Sequence, residues 1–251
     1  MNRYRITYTR DRTVRFVGHL DLAKTWERIL RRADLPLAYS QGFHPLPKLT
    51  FASALPVGCT SEAELMDMLL TEPLDPSELM QRLSFTLPAG IGIASIAQAP
   101  LNAPALQAEL RWAEYLVTIE TNESRDQIEA RVQTLLSSDS VMRERRGKSY
   151  NLRPLVLSLA LEARPSPSSC VQLAMRLRAD ANAGTGRPDE VVSALGWGDA
   201  PAQMHRRTLG FESAVKRTPI ADEKIPQPVD SGISFDIITV DQESRSDPPA
   251  S

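Results

Sequence analysis

The chain has 251 residues, 42% hydrophobic and 24% charged, which excludes a disordered chain and leaves room for one large domain or two small ones. Its net charge of −2 provides no global basic excess for a polyanion, and its two cysteines, Cys59 and Cys170, exclude zinc, CxxC and iron–sulfur spacings. With no signal-peptide pattern and no apolar run of about 18 residues, a cytoplasmic location is expected, with no membrane span and no structural disulfide.

Residues 3–9 alternate, with Tyr4, Ile6 and Tyr8 on one face of a half-buried strand. Asp21 is positioned to cap the next element, a helix whose stripe Leu22, Trp26, Ile29, Leu30 and Ala33 opposes Lys24, Arg28, Arg31 and Arg32. Pro36 ends it. Strands are predicted at 49–52 and 65–70, the second also compatible with helix. Asp75-Pro76-Ser77-Glu78 then starts a helix with a cap and a proline at its first position, and Leu79, Met80 and Leu83 form its apolar face. A strand at 91–96 completes βαββαβ.

Residues 98–110 are Ala/Pro-rich and read as a linker, after which the pattern restarts. A strand at 115–119 precedes the capping box Ser124–Gln127 and a helix carrying Ile128, Val132, Leu135 and Leu136. A short strand over 141–146 ends at Gly147. Strands at 155–161 and 171–178 flank a turn at 164–167. Pro188 opens a helix that Gly196 closes, and 205–211 is the last strand. The expectation is therefore an α+β fold: two tandem ferredoxin-like βαββαβ units, 1–97 and 111–215, forming a broad, mainly antiparallel sheet with helices on one face. The tail 216–251 is Pro-, Ser- and acid-rich and reads as disordered, with a weak strand at 233–240 as its only structural signal.

Charge is unevenly placed. Residues 1–48 carry ten Lys or Arg against four Asp or Glu, whereas 61–78 are acidic; local fields matter more to a partner than the total. The Lys24, Arg28, Arg31, Arg32 stripe suits a phosphate backbone, and the alternative is a solvated helix face that Glu27 partly neutralises. A second cluster, Arg143, Arg145, Arg146 and Lys148, offers another phosphate-facing patch, so that two patches on one sheet would bracket a polyanion. His19, just before the helix with Asp21 to orient it, is a candidate acid or base, or else a packed residue beside a cap. In the loop Gln41-Gly42-Phe43-His44-Pro45-Leu46-Pro47-Lys48, Phe43 can stack on a base while His44 and Lys48 meet phosphate; alternatively Phe43 plugs the core. Arg153 can pair with an acidic group inside the protein or with a ligand anion. No metal-ligand spacing, P-loop or catalytic triad is present, and the separated His19, His44 and His205 form no spacing motif.

Several segments carry a family resemblance: Arg15–Asp21, Glu27-Arg28 with Arg31–Ala33, Pro36–Pro45, Phe51–Gly58 with Ser61–Glu64, and more weakly Lys148–Pro154. They resemble the radical SAM-associated (radical SAM-linked) proteins, the DUF2344 domain, over roughly residues 1–215. The resemblance implies a radical SAM protein as partner, one that carries an iron–sulfur cluster and S-adenosylmethionine, with cobalamin as a further candidate. It assigns no reaction or catalytic residue, and this sequence has no CxxxCxxC triad, so no cofactor is expected on this chain. The resemblance implies a stand-alone partner domain; with the basic helix and the Gly42–Lys48 loop, the leading expectation is an accessory binding module that presents an RNA or ribosome-linked substrate. The alternatives are an RNA-processing enzyme using His19 or His44, and a purely structural subunit.

Overall fold

In the computed structural model, residues 1–145, 147–162 and 170–211 are described; Arg146, the 164–167 turn and the 216–251 tail with its 233–240 segment lie outside them. The first half runs β1 (Asn2–Arg10), α1 (His19–Arg32), β2 (Leu49–Phe51), β3 (Cys59–Leu70), α2 (Pro76–Ser84) and β4 (Ile91–Ala99). After α3 (Leu106–Glu109), the second half runs β5 (Leu110–Glu120), α4 (Arg125–Ser137), a hairpin of β6 (Met142–Arg145) and β7 (Lys148–Asn151), β8 (Val156–Leu161), β9 (Cys170–Asp180), β10 (Gly184–Thr185), α5 (Pro188–Ala194) and β11 (Ala202–Phe211). Among the described residues, no helix is long and apolar enough to cross a membrane.

One nine-stranded sheet has the order β10-β9-β5-β11-β3-β1-β4, with β2 beside β3 and β8 beside β9. Read within each half, β4-β1-β3-β2 and β11-β5-β9-β8 are the same ferredoxin-like order. The β6–β7 hairpin is an insertion between α4 and β8. Among the described residues only the seam is parallel: Met204, His205 and Arg206 of β11 pair with Cys59, Thr60 and Ser61 of β3. The seam exists because β2 is short. It covers β3 only at Met66–Met68, leaving the start of that edge open to β11.

The alternation of β1 buries Tyr4, Ile6 and Tyr8 under the apolar stripe of α1, where Leu22, Trp26, Ile29 and Leu30 are buried together with Leu79 and Leu83 of α2. In the second half, Tyr115, Val117 and Ile119 of β5 pack with Ile128 and Val132 of α4 and with Val191 and Val192 of α5. The helix side is the same in both halves, because Arg206 reaches Glu64 on one side of the seam and the Tyr115 hydroxyl, 3.4 Å away, on the other. Arg206 and Glu64 are 1% and 2% exposed and form a two-pronged pair at 2.8 and 2.5 Å.

Several local expectations are corrected. The strand expected at 65–70 begins at Cys59, because a bulge resets the pattern: Tyr8 faces Glu64 but Arg10 faces Ser61. An extra residue there moves alternate side chains to the other face, so no single period spans β3. Asp21 does not cap α1. The cap is Gly18, His19 is the first helical residue, and Asp21 lies in the first turn, where its charge still favours the helix N-terminus. The 98–110 segment contains α3, whose Leu106 is fully buried, and Arg3 bonds the Ala103 and Pro104 carbonyls.

Candidate nucleic-acid interface

The candidate surface is built outward from β1. Arg10, 2% exposed, sends its Nη2 to the carbonyls of Val14 and Val17 at 2.9 and 2.8 Å. This fastens the turn carrying Arg15 and Phe16 onto the sheet. A second tie, Gly58 N–H to the Arg15 carbonyl at 2.8 Å, links that turn to the start of β3. Phe16 stays 68% exposed, with the Arg15 guanidinium 4.8 Å from its ring centre. His19 follows, exposed, with its ring edge-on to Phe51 at 5.4 Å.

Helix α1 buries its apolar stripe, so Lys24, Arg28, Arg31 and Arg32 must face outward, and all four are exposed. Among the described residues none of these cations closes an ion pair. Several arginines elsewhere do: Arg3 and Arg5 share Asp67, Arg131 holds Glu123, Arg187 holds Asp189, and Arg207 holds Glu162. Among the described residues the α1 row is therefore a positive stripe without ion-pair partners. The helix ends at Ala33, whose N–H reaches the Ile29 carbonyl, and at Asp34, which turns the chain with φ 51°.

The chain then makes a narrow excursion. Ala38 bonds the Leu69 carbonyl, Lys48 bonds the Ala38 carbonyl, and Ser40 bonds the Leu46 carbonyl, so the stem is a backbone ladder rising from β3. Tyr39 on this stem lies 5.9 Å from the Arg31 guanidinium, which joins loop and helix into one surface. At the tip Gly42 adopts φ 143°, a backbone that side-chain-bearing residues avoid. Phe43, 103% exposed, projects fully into solvent. The alternative that Phe43 plugs the core is thus excluded. His44 is exposed beside it, and Lys48 is half-buried at the stem.

The second basic cluster does not join this surface. Arg143 is held by Glu190 at 3.2 Å and Ser193 at 2.6 Å, which fixes the β6–β7 hairpin to α5. Arg145 and Lys148 are exposed and face each other across the hairpin. Arg153, expected to meet an acidic group or a ligand anion, instead bonds the carbonyls of Leu136 and Val156 and ties the end of α4 to the start of β8. Backbone carbonyls left over at the end of α4 need donors, and a planar guanidinium reaches several at once.

The placement of the histidines differs from the sequence reading. Neither His19 nor His44 has a carboxylate partner among the described residues. His205 does have defined partners: its Nδ1 is 2.8 Å from the Thr60 hydroxyl, and its Nε2 is 3.6 Å from a Glu62 oxygen. These residues line a shallow cleft of about 310 Å³ together with Thr9, Asp11 and Arg12. The parallel seam brings them together, and nothing in the local sequence around His205 signals it.

A family model described as an uncharacterized protein conserved in bacteria (DUF2344) matches residues 3–188. The chain belongs to this family. The matched span of this DUF2344 protein includes α1, the Gly42–Lys48 loop and the hairpin cluster. No curated protein matches it. Among solved structures, a Cbf5–Nop10–Gar1 complex is similar with TM-score 0.48 at 9% identity, over 84% of this chain and 50% of that one. The archaeal box H/ACA sRNP Nop10–Cbf5 complex gives TM-score 0.42 at 9% identity, over 81% and 46%. The DUF2344 chain thus spans about half the length of these structures.

Proposed function

We propose that this DUF2344 protein is a cytoplasmic binding module that holds an RNA, or a ribosome-linked substrate, on the surface formed by α1 and the Gly42–Lys48 loop. The observation that supports this reading is a row of exposed cations on one helix face beside a loop that presents an exposed ring. Lys24, Arg28, Arg31 and Arg32 lie exposed without carboxylates among the described residues, beside a loop that presents Phe43 and His44. A phosphate backbone supplies the missing anions, and release of its counterions drives the association.

The recipient of the presented substrate is proposed to be a radical SAM protein carrying the iron–sulfur cluster, S-adenosylmethionine and, in cobalamin-dependent cases, cobalamin. This part rests on the resemblance of residues 15–64 and is tested by co-purification of such a protein with the chain. The binding part is tested directly. Arg28→Gln, Arg31→Gln and Arg32→Gln are combined, and affinity for a mixed-sequence RNA is measured from low to physiological salt. The expected result is weaker binding and a salt slope reduced by about two to three, at roughly 0.7–0.9 unit per lost phosphate contact. Unchanged affinity and slope in a folded triple variant would refute the reading.

A further inference from the structure

We infer that the ligand class of this surface is single-stranded RNA with unpaired bases, rather than duplex; the inference rests on the binding role proposed above. A row of cations alone would suit either form, since both present phosphates. The aromatic side chains discriminate. Phe43 is 103% exposed at a loop tip whose geometry needs Gly42 at φ 143°, and Phe16 is 68% exposed on a turn fastened by the buried Arg10. Exposing these two phenyl rings on loops held in shape by Gly42 and by the Arg10 guanidinium has no packing rationale among the described residues.

The aromatic–guanidinium pairs strengthen the case. Arg15 lies over Phe16 at 4.8 Å, and Arg31 lies 5.9 Å from the Tyr39 ring centre. Each pair places a flat π surface next to a positive charge, the combination that takes a nucleobase on the ring while its phosphate meets the cation. In A-form duplex RNA the bases are already stacked and the grooves shield their faces from side chains. A protruding phenyl ring has nothing to stack on there. One pair lies ahead of the N-terminus of α1 and the other beside its last turn. Fourteen helical residues at ~1.5 Å per residue separate them by about 20 Å, with Lys24 and Arg28 in between. That order of ring, cations and ring fits a short extended strand laid along the helix.

The test uses the full chain and fluorescence anisotropy at fixed salt, with a labelled oligoribonucleotide of about ten nucleotides and its perfect duplex as probes. The single strand is expected to bind at least about tenfold more tightly than the duplex. Phe43→Ala is expected to lower single-strand affinity about tenfold while leaving duplex affinity unchanged, and Phe43→Trp to preserve it. Equal affinity of the parent for both probes overturns the inference, as does an equal loss for both probes in Phe43→Ala. If equal affinities coincide with loss of binding in the triple Arg→Gln variant, the strand preference fails and the polyanion role survives. If the parent binds neither probe, both fall together.

Discussion

Replacing Arg206 by Met tests the seam that joins the two ferredoxin-like halves. Arg206 and Glu64 are 1% and 2% exposed and bond through both guanidinium prongs. The pair lies next to a parallel contact only three residue pairs long. Removing the guanidinium leaves the Glu64 carboxylate buried without its counter-charge and takes the donor from the Tyr115 hydroxyl. Breaking such a buried pair from one side costs about 3–5 kcal/mol, a large part of a typical folding free energy of roughly 5–15 kcal/mol. Glu64→Leu is expected to cost a similar amount, now by stranding the guanidinium. The double variant removes both charges together and is expected to return to within ~1 kcal/mol of the parent, because desolvation of the ion pair disappears with it. Urea denaturation of the four proteins gives a double-mutant cycle, with a coupling energy of at least ~5 kcal/mol expected from those costs. Single losses below ~1 kcal/mol, or additive losses, would show that the pair does not secure the seam.

Trp26 is fully buried and edge-on to Tyr8 at 5.1 Å, but its indole N–H has no acceptor among the described residues. Trp26→Ala is therefore expected to cost about 3–5 kcal/mol in urea denaturation, whereas Trp26→Phe costs ~1 kcal/mol or less because it also removes an orphaned donor. Burial, ahead of smaller electrostatic effects, raises the Cys59 thiol from 9.0 to about 12, and burial with the Glu64 charge raises Tyr8 well above its ordinary value. In the unfolded chain the thiol loses its proton first, so stability is complete below about pH 9 and falls above it by ~1.4 kcal/mol per pH unit. Cys59→Ala is expected to flatten the stability–pH curve between about pH 9 and 10, and an unchanged slope would remove Cys59 as its source. Gly42→Val forces a side chain into φ 143° at an open loop tip, so RNA affinity is expected to fall while the denaturation midpoint stays near that of the parent. A collapse of the midpoint instead would make the loop part of the core.

The elements with local signatures were legible. Tyr4, Ile6 and Tyr8 alternate and are buried, Asp75 caps the helix that Pro76 opens, and the Ser124–Gln127 box closes in both directions. The outward row on α1 followed from the apolar stripe opposite it. What escaped the sequence reading depends on contacts between residues distant in the chain. The first half of β3 was missed because a bulge breaks its period. The partner of Arg206 lies 142 positions away, so a run of two arginines at 206–207 reads as an exposed basic strand when one of them is buried. The His205–Thr60 contact spans 145 positions and arises only from the parallel seam. Arg143 and Arg153 look cationic in sequence, but a carboxylate and carbonyl groups, respectively, occupy them in the fold.

The same long-range accounting gives the α1 stripe its meaning. The chain has 31 acidic residues against 29 basic ones, so carboxylates are not scarce. In the first half the buried ones serve the sheet: Asp67 takes both Arg3 and Arg5 on the face away from the helices, and Glu64 takes Arg206 on the helix side. Both acids alternate along β3, so neither can reach the outer face of a helix packed above it. Glu27 and Asp21 stay on α1 yet close no ion pair with its cations among the described residues. A solvated lysine or arginine loses little by standing alone in water, so stability does not demand neutralisation there. Under the proposed binding role, a phosphate chain would meet α1 cations that have no ion-pair partner among the described residues, whereas at Arg143 it would have to displace Glu190 first. That difference separates the α1 row from Arg143, but not from Arg145 and Lys148, which are exposed and also close no ion pair among the described residues.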